Sequence, residues 1–103
     1  MIEIYCDGAA SKNGSQNSIG GWAYIVKDQD ADSYFHYDCG SKKKATNQQM
    51  EITAALEALR HVTSNFLKEY KKIPFCEFVK VQGHSGNKYN EIVDELAVSA
   101  RLG

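Results

Sequence analysis

The chain has 103 residues, a length that favours a single domain with one modest hydrophobic core. Hydrophobic residues make up 43% and charged residues 24%, which is typical of globular proteins and excludes a disordered or fibrous class. The formal net charge is −1, so no overall basic balance indicates nucleic-acid binding. Such a function must rest on local features such as the lysines at residues 42–44, which on their own are better explained as a solvated loop.

Alternating apolar and polar residues predict three strands, at residues 2–7, 22–27 and 33–39. The stretches between them, residues 8–20 and 28–32, are polar and contain many residues typical of loops and turns. Polar connections between consecutive strands favour an antiparallel meander.

A helix is predicted to begin at Thr46 and to end near residue 63. Thr46 and Gln49 have the capping-box spacing, in which the two residues exchange hydrogen bonds. Residues 66–72 are compatible with further helical turns, residues 75–82 alternate as a strand, and residues 90–101 predict a last helix. The apolar positions that predict the buried face of the first helix are Met50, Ala54, Ala55, Ala58, Leu59 and Val62. Those of the last helix are Val93, Leu96, Ala97 and Ala100.

Three carboxylates lie at the end or the beginning of a predicted element. Asp7 ends the first strand, Glu51 lies in the first turn of the long helix beside its apolar face, and Asp94 lies in the first turn of the last helix. Each also has a plain structural explanation. Asp-Gly is a turn signal, and a carboxylate in a first helical turn interacts favourably with the helix dipole.

Four motifs resemble those of ribonuclease H, in the order that this family has them. They are YCDGA with GGWA (residues 5–9 and 20–23), TNQQME (46–51), VKVQGHSGN (79–87) and NEIVDELA (90–97). The second resembles the family's Thr-Asn-Asn-x-Met-Glu helix start, the third its Val-Lys-Gly-His-x-Gly loop, and the fourth its Asn-Glu-x-x-Asp-x-Leu-Ala helix. The resemblance implies an α/β fold, in which a mixed sheet starts with the antiparallel meander and is flanked by helices.

The resemblance further implies an endonuclease that hydrolyses the RNA strand of RNA–DNA hybrids by a two-metal-ion mechanism. Mg²⁺ is the expected cofactor, with Mn²⁺ as a substitute, since hard cations prefer carboxylate oxygen. Asp7, Glu51 and Asp94 are the expected metal ligands and catalytic residues. His84, in a loop between two glycines, is expected to carry a proton or to assist product release.

Contacts to the hybrid are implied in the same way. Asn13, Asn47 and Gln48 carry amides suited to the 2′-hydroxyl groups that distinguish RNA from DNA. The family usually has a second asparagine where Gln48 stands. Thr46 is expected to help hold a DNA phosphate, and Gly8 to let the backbone approach the RNA closely.

One section of the family pattern is missing. After the long helix the family has a further strand with a catalytic aspartate and then more helices, whereas this sequence has no aspartate between Asp38 and Asp94. We therefore expect a single domain over residues 1–103, with the central strand and helices deleted, or absent from the sequence as given, near residues 62–68.

Three explanations of this difference are open. A segment of the molecule is absent from the sequence as given, or the protein is a shortened, inactive module that binds nucleic acid or metal without cleaving, or a second copy supplies the further carboxylate. An interaction module on the same scaffold is a different class of function, because fold does not fix function.

Cellular location is predicted from what the sequence lacks. The cysteines, Cys6, Cys39 and Cys76, are odd in number and have no metal-ligand spacing, which favours free thiols in a reducing compartment. There is no signal-peptide pattern at the N-terminus, and no apolar stretch approaches the ~20 residues of a membrane span. We expect a cytoplasmic protein whose partner is an RNA–DNA hybrid and not a membrane, and a monomer, with a dimer left open.

Overall fold

The structure, a computed structural model, describes residues 2–11, 17–28, 36–70, 76–79 and 87–102, with the backbone alone for residues 65–70, 76 and 77. In chain order the elements are β1 (Ile2–Ser11), β2 (Ile19–Asp28), β3 (His36–Lys43), α1 (Asn47–Tyr70), β4 (Cys76–Phe78) and α2 (Lys88–Leu102). The strands form one sheet in the order β3-β2-β1-β4. β1, β2 and β3 pair antiparallel, whereas β4 runs parallel to β1. The predicted α/β fold, with a meander that opens a mixed sheet, is confirmed.

The two helices cover opposite faces of the β1–β2 hairpin. Successive side chains of a strand point to opposite faces, so each strand contributes to two apolar clusters. The cluster under α1 contains Ile2, Ile4, Tyr24, Val26, Ala58 and Val62. The cluster under α2 contains Tyr5, Ala23, Ile25, Val93 and Ala97. Removing these side chains from water on both faces is the main force that holds the helices to the hairpin.

β1 and β2 extend into residues 8–11 and 19–20, where a loop was predicted. The glycines that indicated a loop instead serve helix packing. A Cβ on Gly20 would lie 2.6 Å from the sulfur of Met50 in α1, and one on Gly21 would collide with the carbonyl oxygen of Ala97 in α2. Glycine is therefore required here for close approach of the helices to the strands.

β3 lies further along the chain than predicted, at His36–Lys43. Gly40, one residue beyond the predicted strand, pairs with Trp22 of β2, and a Cβ there would lie 2.6 Å from the indole ring. The predicted strand residues 33–35 lie outside the described part of the chain. The same holds for residues 75 and 80–82 of the predicted fourth strand, of which Cys76–Phe78 is described as β4.

α1 continues past residue 63 to Tyr70 and includes residues 62–68. The missing family segment at that place stays a prediction. Four of the expected core positions of α1 are buried: Met50, Ala54, Ala58 and Val62. Ala55 is only half-buried and Leu59 is exposed, so their assignment to the buried face was wrong. Leu59 shares an outward face of α1 with Ile52 and Leu56, which are also exposed.

α2 begins at Lys88, two residues before its predicted start. The Asn87 side-chain oxygen accepts hydrogen bonds of 3.0 Å from the backbone N–H groups of Tyr89 and Asn90. Asn87 is thus the N-cap, and this asparagine just before the periodic pattern was a readable signal. None of the helices in the described ranges is both long and apolar enough to cross a membrane. Cys6 and Cys39 are half-buried and form no disulfide.

Candidate active site

Asp7 and Asp94 meet on the face of the sheet that α2 covers. Asp7 follows Tyr5 on the side of β1 that packs against α2. Asp94, next to the buried Val93, is exposed and shares a side-chain hydrogen bond with Asp7. Because α2 begins at Lys88, Asp94 lies in the second turn and not in the predicted first turn. The effect of the helix dipole falls off within the first turn, so it does not account for an aspartate at this position.

Glu51 approaches the same place from α1. A Cβ on Gly8 would collide with the backbone of Met50 and Glu51, so the lack of a side chain lets α1 contact β1 at the residue that follows Asp7. Glu51 is exposed, and its negative charge acts on Asp7. Gly8 therefore has a packing role that the sequence did not reveal. Its predicted role in the approach to RNA is a separate matter and stays a prediction.

The pKa of Asp7 is raised from 3.8 to about 6. Burial of this half-buried carboxyl is the largest cause, and the hydrogen bond with Asp94 is the next. The backbone N–H of Gly8 lowers the pKa, whereas the charges of Asp94 and Glu51 raise it further. A proton held between Asp7 and Asp94 relieves the repulsion between their carboxylates. A divalent cation could replace that proton, since metal binding to carboxylates releases protons.

The donor chemistry of these carboxylates fits a hard cation such as Mg²⁺. Among the described residues, no group of three or more His, Cys, Asp or Glu side chains already has the geometry of a metal site. Asp7, Glu51 and Asp94 thus interact electrostatically without forming a preformed metal site. Mg²⁺ usually keeps several waters and is held directly by one or two carboxylates, so a complete, preformed set of protein ligands is not required.

The start of α1 holds three of the residues predicted to contact substrate. The Thr46 hydroxyl oxygen accepts a 3.1 Å hydrogen bond from the N–H of Gln49, and the Gln49 side-chain oxygen accepts a 3.0 Å bond from the N–H of Thr46. The predicted capping box is confirmed. The Asn47 side-chain oxygen accepts a 2.6 Å hydrogen bond from the N–H of Ala10, which directs the amino end of this amide away from Ala10. Gln48 is exposed.

The described structure thus gathers Asp7, Glu51 and Asp94 in one region, with Asn47 one helical turn before Glu51. Asn13 and His84 lie outside the described residues, and their roles stay predictions. The hydrogen bond between Asn47 and Ala10 could not be read from the sequence, because it joins residues 37 positions apart.

An exposed basic segment, residues 42–44, leads into α1. The N–H of Lys44 donates a 2.8 Å hydrogen bond to the carbonyl oxygen of Ser18, which fixes this segment against the start of β2. Lys44 has a φ of 58°, in the left-handed region that residues other than glycine seldom adopt. A shallow pocket here is lined by Asn17, Ser18, Ile19, Lys43 and Lys44. Its positive charge is of the kind that attracts a phosphate backbone.

Comparison with known families adds an independent observation. The family model described as RNase H matches residues 1–71, more than half of the chain. The chain belongs to the RNase H family. Relatives named Ribonuclease H include one from Treponema denticola, 43% identical over 61 residues, which cover 59% of this chain and 36% of that protein. Another, from Coxiella burnetii, is 28% identical over 141 residues, which cover 94% of this chain and 87% of that protein.

Solved RNase H structures have the same fold. LC11-RNase H1, crystallised in complex with an RNA/DNA hybrid, is similar with a TM-score of 0.73 at 19% identity, over 98% of this chain and 96% of that chain. LC9-RNase H1 is similar with a TM-score of 0.70 at 19% identity, over 99% of this chain and 72% of that chain. At such low identity the similarity establishes the RNase H fold alone.

The RNase H relatives carry residues that this chain lacks. The alignment with the Coxiella burnetii protein extends over 141 residues, whereas the chain has 103, so part of that relative has no counterpart here. The placement of this difference near residues 62–68 is still a prediction.

Proposed function

We propose that the chain is a metal-dependent endonuclease that hydrolyses the RNA strand of RNA–DNA hybrids. The observation that carries this proposal is the interaction of Asp7, Asp94 and Glu51, which come from β1, α2 and α1. Membership of the RNase H family and the likeness to LC11-RNase H1, crystallised with an RNA/DNA hybrid, support the choice of substrate. Two bound Mg²⁺ or Mn²⁺ ions would activate the attacking water and stabilise the leaving oxygen.

Each residue of the site has a part in this proposal. Asp7, Glu51 and Asp94 would hold the metal ions, and their binding would favour the ionised form of Asp7. Asn47, whose amide is oriented by Ala10, presents its amino group to a 2′-hydroxyl of the RNA strand.

The remaining predicted residues bind the hybrid or assist the reaction. Thr46 contacts a DNA phosphate, Gln48 and Asn13 contact the RNA, and Gly8 permits its close approach. His84 carries a proton to or from the site, since imidazole is the side chain best suited to proton transfer near neutral pH.

A second candidate function is a module that binds the hybrid or metal without cutting it. The observation that favours it is the absence of an aspartate between Asp38 and Asp94, which leaves three of the four family carboxylates. A binding module has less use for a cluster of like charges that costs stability when empty, and for this reason we prefer the enzyme.

A cleavage assay separates the two functions. The purified chain is incubated with an RNA–DNA hybrid labelled on the RNA strand, with Mg²⁺, with Mn²⁺ or with a chelator. We expect metal-dependent cutting of the RNA strand alone. Asp7→Asn and Glu51→Gln should each lower the rate by on the order of 100-fold or more, since even the residues that orient metal ligands are worth 10- to 100-fold. Glu95→Gln, an exposed carboxylate beside Asp94, is the matched control and should leave the rate unchanged.

The negative outcomes are equally informative. A chain that retards the hybrid in a gel but does not cut it with either metal is the binding module. Cutting whose rate rises faster than linearly with protein concentration indicates that a second copy completes the site.

A further inference from the structure

Two histidine rings stack face to face between β3 and α1. The ring centroids of His36 and His61 are 3.5 Å apart, and the ring planes differ by 3°. Tyr24 of β2 lies against both rings, with centroid distances of 5.6 Å and 6.3 Å. Its hydroxyl oxygen is 3.1 Å from Nε2 of His36. None of these three residues has a part in the proposed reaction.

Tyr24 keeps its proton throughout the physiological range. Burial, followed by the charges of Asp38 and Glu57, raises the pKa of Tyr24 to about 12. Its hydroxyl can therefore donate a hydrogen bond to the unprotonated Nε2 of a neutral His36. When that nitrogen is protonated, the hydroxyl oxygen accepts the bond instead. The tyrosine thus tolerates either protonation state of His36.

Burial and the charge of a first proton disfavour a second proton on the pair. Among the described residues, Tyr24 from β2 contacts both rings, and Asp38 from β3 acts on His61 and on Tyr24. Glu57 from α1 acts on Tyr24 and is paired with Arg60 at 3.0 Å. The pKa of His61 is lowered, first by burial and then by the positive charge of a protonated His36. Asp38 opposes this effect without reversing it. Two imidazolium rings at a stacking distance of 3.5 Å would repel each other directly.

The stack has a defined place in the fold. β3 is at the edge of the sheet, and α1 packs against the neighbouring strands β1 and β2. From His36 the chain follows β3 to Lys43, turns at Lys44 and enters α1, where His61 lies opposite His36. The stack therefore joins β3 and α1 at the opposite end of this pair of elements from Asn47.

We propose that His36 and His61 form a pH-sensitive clasp, which holds the start of β3 against α1 while at most one ring is protonated and releases it when both are. Acidification below the ordinary histidine range then loosens the edge strand while the β1–β2 hairpin remains packed. The clasp is independent of metal and of hybrid cleavage, so the proposed function and the clasp can fail separately.

An NMR titration of the intact, metal-free chain from pH 8 to pH 5 tests the clasp. The ring of His61 should take up its proton below the ordinary histidine pKa of ~6.5. The backbone amides of Tyr37 and Cys39 in β3 should shift with that same step, whereas the amide of Ile4 in β1 should not. Joint movement of the Ile4 amide would mean global unfolding and would overturn the clasp.

His61→Phe provides the matched control, because it keeps an aromatic ring beside His36 but cannot be protonated. In this variant the second protonation is removed, so the β3 amides should not move between pH 6 and pH 5. His61→Asn, which removes the ring, serves if the phenylalanine is not accommodated. The clasp is wrong if both rings of the wild-type chain titrate near ~6.5 with no mutual effect. It is also wrong if the β3 amides of the control shift as they do in the wild type.

Discussion

Replacing Asp7 by asparagine should stabilise the metal-free protein at neutral and alkaline pH while it removes the proposed activity. The pKa of Asp7 rises from 3.8 to about 6 on folding. Between these two pH values the folded state therefore holds a proton that the unfolded state has already released. Stability from this group is therefore complete below pH 3.8 and is lost as the pH rises through 6. The shift corresponds to about 3 kcal/mol, which we reduce to about 1–2 kcal/mol because the carboxyl is only half-buried and is screened by solvent.

Urea unfolding in the presence of a chelator measures this effect, with the fluorescence of Trp22 as the signal. The free energy of unfolding of Asp7→Asn should exceed that of the wild type at pH 8, and the two should agree near pH 4, where the acid and the amide are both neutral. Glu95→Gln is the control and should lie within about 0.5 kcal/mol of the wild type at both pH values. A variant that is less stable than the wild type at pH 8, or a difference that does not change with pH, would refute the reasoning.

Three further substitutions test the packing around the site. Gly8→Ala should lower the free energy of unfolding by about 1–3 kcal/mol, because the new Cβ would lie 2.6 Å from that of Met50; unchanged urea unfolding would contradict this close contact. Lys44→Gly should raise stability by about 0.5–1 kcal/mol because φ is 58°, whereas Lys43→Gly, within β3, should lower it; equal effects would contradict the left-handed turn. Asn87→Ala should cost about 1 kcal/mol in thermal unfolding through loss of the α2 cap, and Asn87→Ser should recover most of it.

The parts of the fold that the sequence predicted correctly depend on neighbouring residues. The capping box is complete within residues 46–49, and the resulting start of α1 is correct. The meander follows from three alternating stretches joined by polar segments. The strand ends were wrong where the deciding contact is distant in sequence. Gly8 meets Met50 and Gly21 meets Ala97, and no local pattern distinguishes such a glycine from one in a loop.

For the candidate site, the sequence identified the carboxylates but not their burial or their interactions with one another. The motifs singled out Asp7, Glu51 and Asp94, and the structure brings these three carboxylates into electrostatic contact. The raised pKa of Asp7 depends on burial and on the approach of Asp94 from another element, which sequence spacing does not encode. His36 and His61 lie outside the four motifs, and their stacking becomes visible only when β3 and α1 are placed together.

Asp7 lies on the β1–β2 hairpin, and Glu51 and Asp94 lie on helices that pack directly against it. None of these three carboxylates lies on β4. The three carboxylates thus depend on the hairpin and on the two helices, and not on the segment between α1 and α2. Insertions or deletions in that segment can change the length of the protein without moving the three carboxylates. A segment designed to bind substrate should therefore be inserted between α1 and α2, and the glycines of the hairpin should be kept.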